Sequence, residues 1–171
     1  MTRGEKIAAI AKSYIGQQEI QPNAGFKDPA FLAKMVARGW EKGQPWCGYF
    51  GKQCWVEGYA DNPQFQLKIK QLLNGGAQST LENCKASGLF VINMIPAPGA
   101  LIIFLEGKGP EGHEAVGTSA AMNNIFQTVE GNTNTDGSRD GYEVAAKTHE
   151  LGRPYNPKGL NIVAIIHPVE I

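Results

Sequence analysis

Apolar residues return at helical intervals through the first half of the chain. Thr2 and Glu5 stand at the capping-box spacing, and Ile7, Ile10, Ala11 and Tyr14 follow at steps of three and four, which predicts a helix over about 2–15 closed by Gly16. Asp28 before Pro29 reads as the N-cap and first-turn proline of a second helix, which turns Phe31, Met35 and Val36 inward, with Trp40 closing that face. Pro45-Trp46-Cys47 opens a third, central helix that runs to about Glu57 and stops at Gly58, with Cys47, Phe50, Gly51 and Cys54 on one face. Asn62-Pro63 starts a fourth, with Phe65, Ile69 and Leu72 or Leu73 apolar and Gly75-Gly76 ending it; Ser79 and Glu82 suggest one more short helix before Gly88. From about residue 89 the pattern changes to short apolar or alternating runs between turn residues, predicting strands over 101–105, 113–120, 124–129, 141–148 and 161–167. Helices first and antiparallel strands later is the order of an α+β domain with the helices packed on one side of the sheet. No linker-like stretch divides 1–171, so a single domain is expected.

Composition narrows the partners. The 171 residues carry 16 Lys and Arg against 16 Asp and Glu, so the net charge is zero and no electrostatic footprint calls for nucleic acid or an anionic membrane. The longest apolar runs, such as Leu101 to Leu105, span about five residues where a membrane helix needs roughly 20. The first residues enter an amphipathic pattern instead of an apolar stretch with a cleavage site, so the reading is of a chain without a secretory signal, made in the cytoplasm. Cys47, Cys54 and Cys84 contain no Cys-x-x-Cys pair and cannot all pair as disulfides, so each is read by itself.

Cys47 sits where the central helix begins, and the free N–H groups of a helix start favour a thiolate over a thiol. Cys54, two turns on along the same face, and Cys84 read as packing. A nucleophilic thiolate needs an imidazole. His113 follows a glycine-rich stretch, Gly107 to Gly112, and opens a strand at the sheet edge, whereas His149 and His167 fall late in strands or near the terminus. Glu130 and Asn132, one residue apart, share a face of an extended strand, and either can orient the imidazole. Gln44 stands where its side chain can donate to an oxyanion, and Trp46, beside the thiol, where it can line a substrate groove. Asn132-x-Asn134-x-Asp136-Gly137 followed by Glu143 has the spacing of an EF-hand loop, but strands and not helices are predicted on both sides, so no metal and no cofactor are expected.

Four motifs in order, Pro45-Trp46-Cys47-Gly48-Tyr49-Phe50, Pro98-Gly99-Ala100 to Phe104, Gly112-His113, and Val129-Glu130-Gly131-Asn132-Thr133-Asn134 with Gly141 to Val144, resemble the CHAP branch of the NlpC/P60-like cysteine peptidases over about 35–150. The resemblance implies a papain-like α+β fold and cleavage of an amide bond in peptidoglycan, as an endopeptidase or an N-acetylmuramoyl-L-alanine amidase, by a monomer acting at the cell wall after release or export. It casts Cys47 as nucleophile, His113 as general base and Glu130 or Asn132 as the orienting residue. Two positions depart from the family pattern. Ala100 stands where an aspartate commonly follows Pro-Gly, removing a supporting hydrogen bond, and Glu114 follows Gly-His in place of a small or aliphatic residue, where it can meet substrate. These departures leave two other readings open: a wall-binding or phage-structural module that kept the fold without catalysis, and a papain-like protease acting on proteins.

Overall fold

The computed structural model describes residues 1–135 and 141–171. Its helices are α1 (Arg3–Ser13), α2 (Pro29–Ala37), α3 (Cys47–Gly58), α4 (Pro63–Leu72) and α5 (Ala77–Ser87). The strands are β1 (Glu19–Ile20), β2 (Gly25–Phe26), β3 (Ile92–Asn93), β4 (Leu101–Glu106), β5 (Gly112–Gly117), β6 (Ile125–Thr133), β7 (Glu143–Glu150) and β8 (Leu160–Ile166). The predicted caps start the helices. Thr2 and Glu5 close a reciprocal capping box on α1, the Asp28 side chain accepts from the Ala30 N–H before Pro29, and that of Asn62 accepts from the Phe65 N–H before Pro63. Gly88, in the left-handed conformation, caps α5, the short helix predicted before it. No helix among the described residues is long and apolar enough to cross a membrane.

β3 to β8 form one antiparallel sheet in the order β3-β8-β4-β5-β6-β7, and β1 pairs with β2 in a small separate hairpin. The mixed helix-and-sheet architecture agrees with the α+β expectation. Alternation along the strands sends Leu101, Ile103, Val116, Val129, Val144, Ala164 and Ile166 into the core shared with the helices. Ala100, Ile102, Phe104, Ala115, Phe126 and Ile165 form a second buried layer. One predicted core position faces water: Val36 is exposed, because it lies a step past the Phe31–Met35 stripe of α2. The two-residue strands β1, β2 and β3 are too short to leave a periodic signal.

Two features of the sheet prepare the site. β5 and β6 pair only at Val116↔Val129 and Gly117↔Thr128, so residues 112–115 of β5 have no strand partner on that side. The β6–β7 register shifts between Glu130 and Thr133, and within this bulge Asn132 takes a left-handed φ of 55°. α3 packs over β5 and β6 at this opening. Gly131 lets it approach: a Cβ there would lie 2.6 Å from both Phe50 Cβ and a ring carbon of Trp46.

Gly131→Ala forces α3 off the sheet or twists the bulge, and overpacking of this kind costs roughly 1–3 kcal/mol. Urea unfolding of the variant should show that loss; a midpoint equal to wild type would mean that the contact is loose.

Candidate active site

Trp46 is the N-cap of α3 and makes no side-chain cap, so the first-turn N–H groups are left to whatever lies at the helix start. That group is the sulfur of Cys47, which accepts hydrogen bonds from the backbone N–H groups of Gly48 and Glu114 and from the ring of His113. The Glu114 N–H is available because the even-numbered residues of β5 point toward β6, as the Thr118 N–H to Gln127 carbonyl bond beyond it shows, and β6 has already left the ladder. The splayed strands and the uncapped helix thus meet at one atom. Cys47 keeps 6% of its surface exposed.

The His113 ring carries the network onward. Its Nε2 lies 2.7 Å from Glu130 Oε2, which leaves Nδ1 for the sulfur. Glu130 is fixed at its other oxygen, Oε1, by the Thr128 hydroxyl at 2.6 Å and by His149 Nε2 at 2.5 Å. Burial pushes the Cys47 thiol up, but His113 and the two N–H groups together outweigh it and hold it below its ordinary value. Burial works against charge on His113 as well, yet the adjacent Glu130 carboxylate and the Cys47 sulfur raise the imidazole well above its usual range. Glu130, also buried, is held below the carboxylate range by the two histidines. These shifts all favour a thiolate, an imidazolium and a carboxylate in series, the charge state a sulfur nucleophile requires.

Cys54 and Cys84 show what burial does without partners. Both are fully buried; the Cys54 thiol is pushed well up and that of Cys84 to about 12. They pack, as the sequence suggested. Among the described residues no group of three His, Cys, Asp or Glu side chains is placed to hold a metal ion. The EF-hand spacing falls partly on Asp136 and Gly137, outside the described residues, and it is flanked by strands β6 and β7.

Of the two candidates for the orienting residue, Glu130 makes the contact to His113. Asn132 does not continue the extended backbone that would put it beside Glu130, because the bulge turns the chain there. Three further expectations are corrected or narrowed. Trp46 does not line a groove: it is fully buried, stacked edge-on against Phe26 and Phe31, with its indole N–H donating to Glu19 Oε2 at 2.7 Å. Glu114 does not face substrate either, since its side chain points inward against Gly51 of α3, where only a glycine leaves room. Gln44 is anchored in its own turn, its amide oxygen accepting from the Glu41 N–H at 3.1 Å and the Tyr49 hydroxyl at 2.9 Å. His149, set aside in the sequence as a late-strand residue, joins the site. Its period-two offset from Ala145, which pairs with Glu130, was the one available signal, and it needed the β6–β7 register to be read.

A cavity of about 650 Å³ opens over His113, Glu130 and His149, with Phe104, Tyr155 and Ile162 among its walls. This is the size of a small-ligand or substrate pocket. Close to Cys47, by contrast, neither oxygen of the buried Glu114 meets a hydrogen-bond partner among the described residues. Burial and the neighbouring sulfur raise this carboxyl well above the usual carboxylate range, which favours its protonated form.

A raised folded-state acid favours the native protein only at pH values where the unfolded chain is protonated too, and that advantage is lost as pH rises past the ordinary glutamate range. Glu114→Met removes the unpartnered carboxyl at similar volume and should stabilise the fold by about 1–3 kcal/mol at neutral pH. The gain should shrink near pH ~4, where the unfolded glutamate binds its proton. Urea unfolding of both proteins at the two pH values checks this, and a variant less stable at neutral pH would show that Glu114 is well partnered. Comparison of the chain with protein-family models, with curated proteins and with solved structures finds no match.

Proposed function

We propose that this chain is a cysteine-dependent hydrolase that cuts an amide bond in the peptide of peptidoglycan, on a papain-like fold of the CHAP or NlpC/P60 kind. The observation that carries the reading is the series Cys47–His113–Glu130, in which a helix-start sulfur is hydrogen-bonded to an imidazole whose other nitrogen meets a buried carboxylate. The motif order around these residues supports the choice of cell wall as substrate, and a helix-borne cysteine packed on an antiparallel sheet is in keeping with that family.

The chemistry follows from the charge state. The Cys47 thiolate attacks the amide carbonyl carbon, and the carbonyl π pair moves onto oxygen. First-turn N–H groups of α3 stand near that developing charge. Collapse of the tetrahedral adduct expels the amine, which takes its proton from the His113 imidazolium, and leaves a thioester on Cys47. The neutral His113 then takes a proton from water as that water attacks the thioester; the acid product departs and the thiolate–imidazolium pair is restored. Glu130 stays ionised throughout and keeps the ring directed at the sulfur. The cavity beside His113 gives the substrate peptide a place next to the base.

Cys47→Ala and His113→Ala should each remove at least ~10³-fold of the activity on purified peptidoglycan, the scale of loss expected when one member of such a triad is deleted, while thermal unfolding stays cooperative. Mass spectrometry of the soluble fragments should show newly freed amines and carboxylates with wild type only. Full activity in Cys47→Ala contradicts the mechanism. Thiol-dependent cleavage of proteins but not of muropeptides would move the substrate to proteins, and binding to the wall with no fragment released would make the chain a binding module.

A further inference from the structure

We propose that His149 is a positioning residue of this site, holding through its hydrogen bond the carboxylate that in turn holds His113. The inference rests on the Cys47–His113 pair proposed above but not on the wall as substrate.

The geometry is that of one carboxylate shared by two imidazoles. Glu130 gives Oε2 to His113 Nε2 at 2.7 Å and Oε1 to His149 Nε2 at 2.5 Å, with the Thr128 hydroxyl on the same Oε1 at 2.6 Å. A carboxylate bonded at one oxygen only can turn about its last torsion; one bonded at both cannot, and Oε2 of Glu130 is then committed to His113. His149 is itself held, its ring lying 4.9 Å from that of Phe104 and 5.6 Å from that of Phe126, centroid to centroid. Phe104 also touches the His113 ring, at 6.0 Å, so one aromatic wall sets both imidazoles. The chain of fixation therefore runs from the apolar face of the sheet through His149 and Glu130 to His113.

Other charged groups near His149 do not duplicate the role. Lys147, two residues back on β7, donates from Nζ to the Asn134 carbonyl, and Glu150 and Arg153 stand on the walls of the cavity. Side-chain exposure is 24% for His149 and 15% for His113, so the cavity reaches the second imidazole as well as the first. Without His149 only the Thr128 hydroxyl holds Oε1, the counter-charge facing His113 is less firmly fixed, and the neutral thiol–imidazole pair gains on the ionic pair.

The test reads the Cys47 thiolate directly and needs no substrate. Carbamidomethylation of Cys47 by iodoacetamide, in which the thiolate displaces iodide, is followed across pH by peptide mass spectrometry in wild type, His149→Gln and His149→Asn. The glutamine amide reaches the position of Nε2 and the asparagine amide that of Nδ1, so the pair differs in contact to Glu130 while both remain polar and of similar size. His149→Asn should react ~10-fold more slowly at the wild-type midpoint, with its pH profile displaced upward, whereas His149→Gln should follow wild type. With purified peptidoglycan the same contrast should show in kcat with KM unchanged. Coincident profiles for the two variants would overturn the positioning role, as would a KM effect alone, which would make His149 a substrate contact. A wild-type Cys47 that reacts only in the pH range of an ordinary thiol would instead overturn the Cys47–His113 pair and this inference with it. Absence of fragments from peptidoglycan alongside the predicted alkylation contrast would fault the substrate alone.

Discussion

A sulfur, an imidazole and a carboxylate in series, buried between a helix and a sheet and each shifted toward its charged form, are the constraint around which the rest of this molecule is arranged. A thiolate, an imidazolium and a carboxylate would each be driven neutral by burial if they stood alone, because the low-dielectric interior disfavours charge. Each is instead flanked by its complement. The sulfur has His113 and the N–H groups of Gly48 and Glu114, the imidazole has the sulfur on one side and Glu130 on the other, and Glu130 has two histidines and a threonine hydroxyl. The features of the fold that look irregular are what allow this. β5 and β6 part after two pairs, the strand after Glu130 bulges, and Gly131 lets α3 come close. A regular ladder would have bonded the Glu114 N–H to a strand and left the sulfur with one donor fewer.

The three cysteines make the point by contrast. They share a chain and a buried state, and Cys47 and Cys54 share a helix face, but only Cys47 stands at a helix start next to an imidazole, and only its thiol is lowered. The carboxyls divide in the same way. Glu130 and Glu114 are both buried; the one with histidines around it is shifted toward the ionised form and the one without a hydrogen-bond partner among the described residues toward the protonated form. Environment, and not residue type, assigns the roles.

How much of this could be read along the chain depended on the range of the interaction. The helix starts were legible because Thr2 with Glu5, Asp28 with Pro29 and Asn62 with Pro63 act on their own next turn. Cys47 was legible as a helix-start thiol for the same reason, and the five longer strands of the large sheet, β4 to β8, followed from their apolar or alternating runs. What escaped depends on register and on distant partners. Trp46 looked like a groove residue because its neighbour is the thiol, but a carboxylate twenty-seven positions away, Glu19, satisfies its indole N–H and lets the ring be buried. Glu114 was read as a substrate contact because it replaces the small or aliphatic residue that commonly follows Gly-His; its direction is set by alternation from the buried Val116. Choosing Glu130 over Asn132 required the bulge, and including His149 required the pairing of β6 with β7.

The central claim is the charge separation between Cys47 and His113, and it is most directly tested by nitrogen-15 NMR of the histidine rings in wild type and Cys47→Ala. In wild type the account predicts a His113 ring that is fully protonated at neutral pH and loses its proton only well above the ordinary histidine range. In Cys47→Ala the same ring should titrate at lower pH, since one of the groups that raise it is gone. A His113 ring that is neutral at neutral pH in the wild-type protein, and unchanged by removal of the sulfur, would contradict the account.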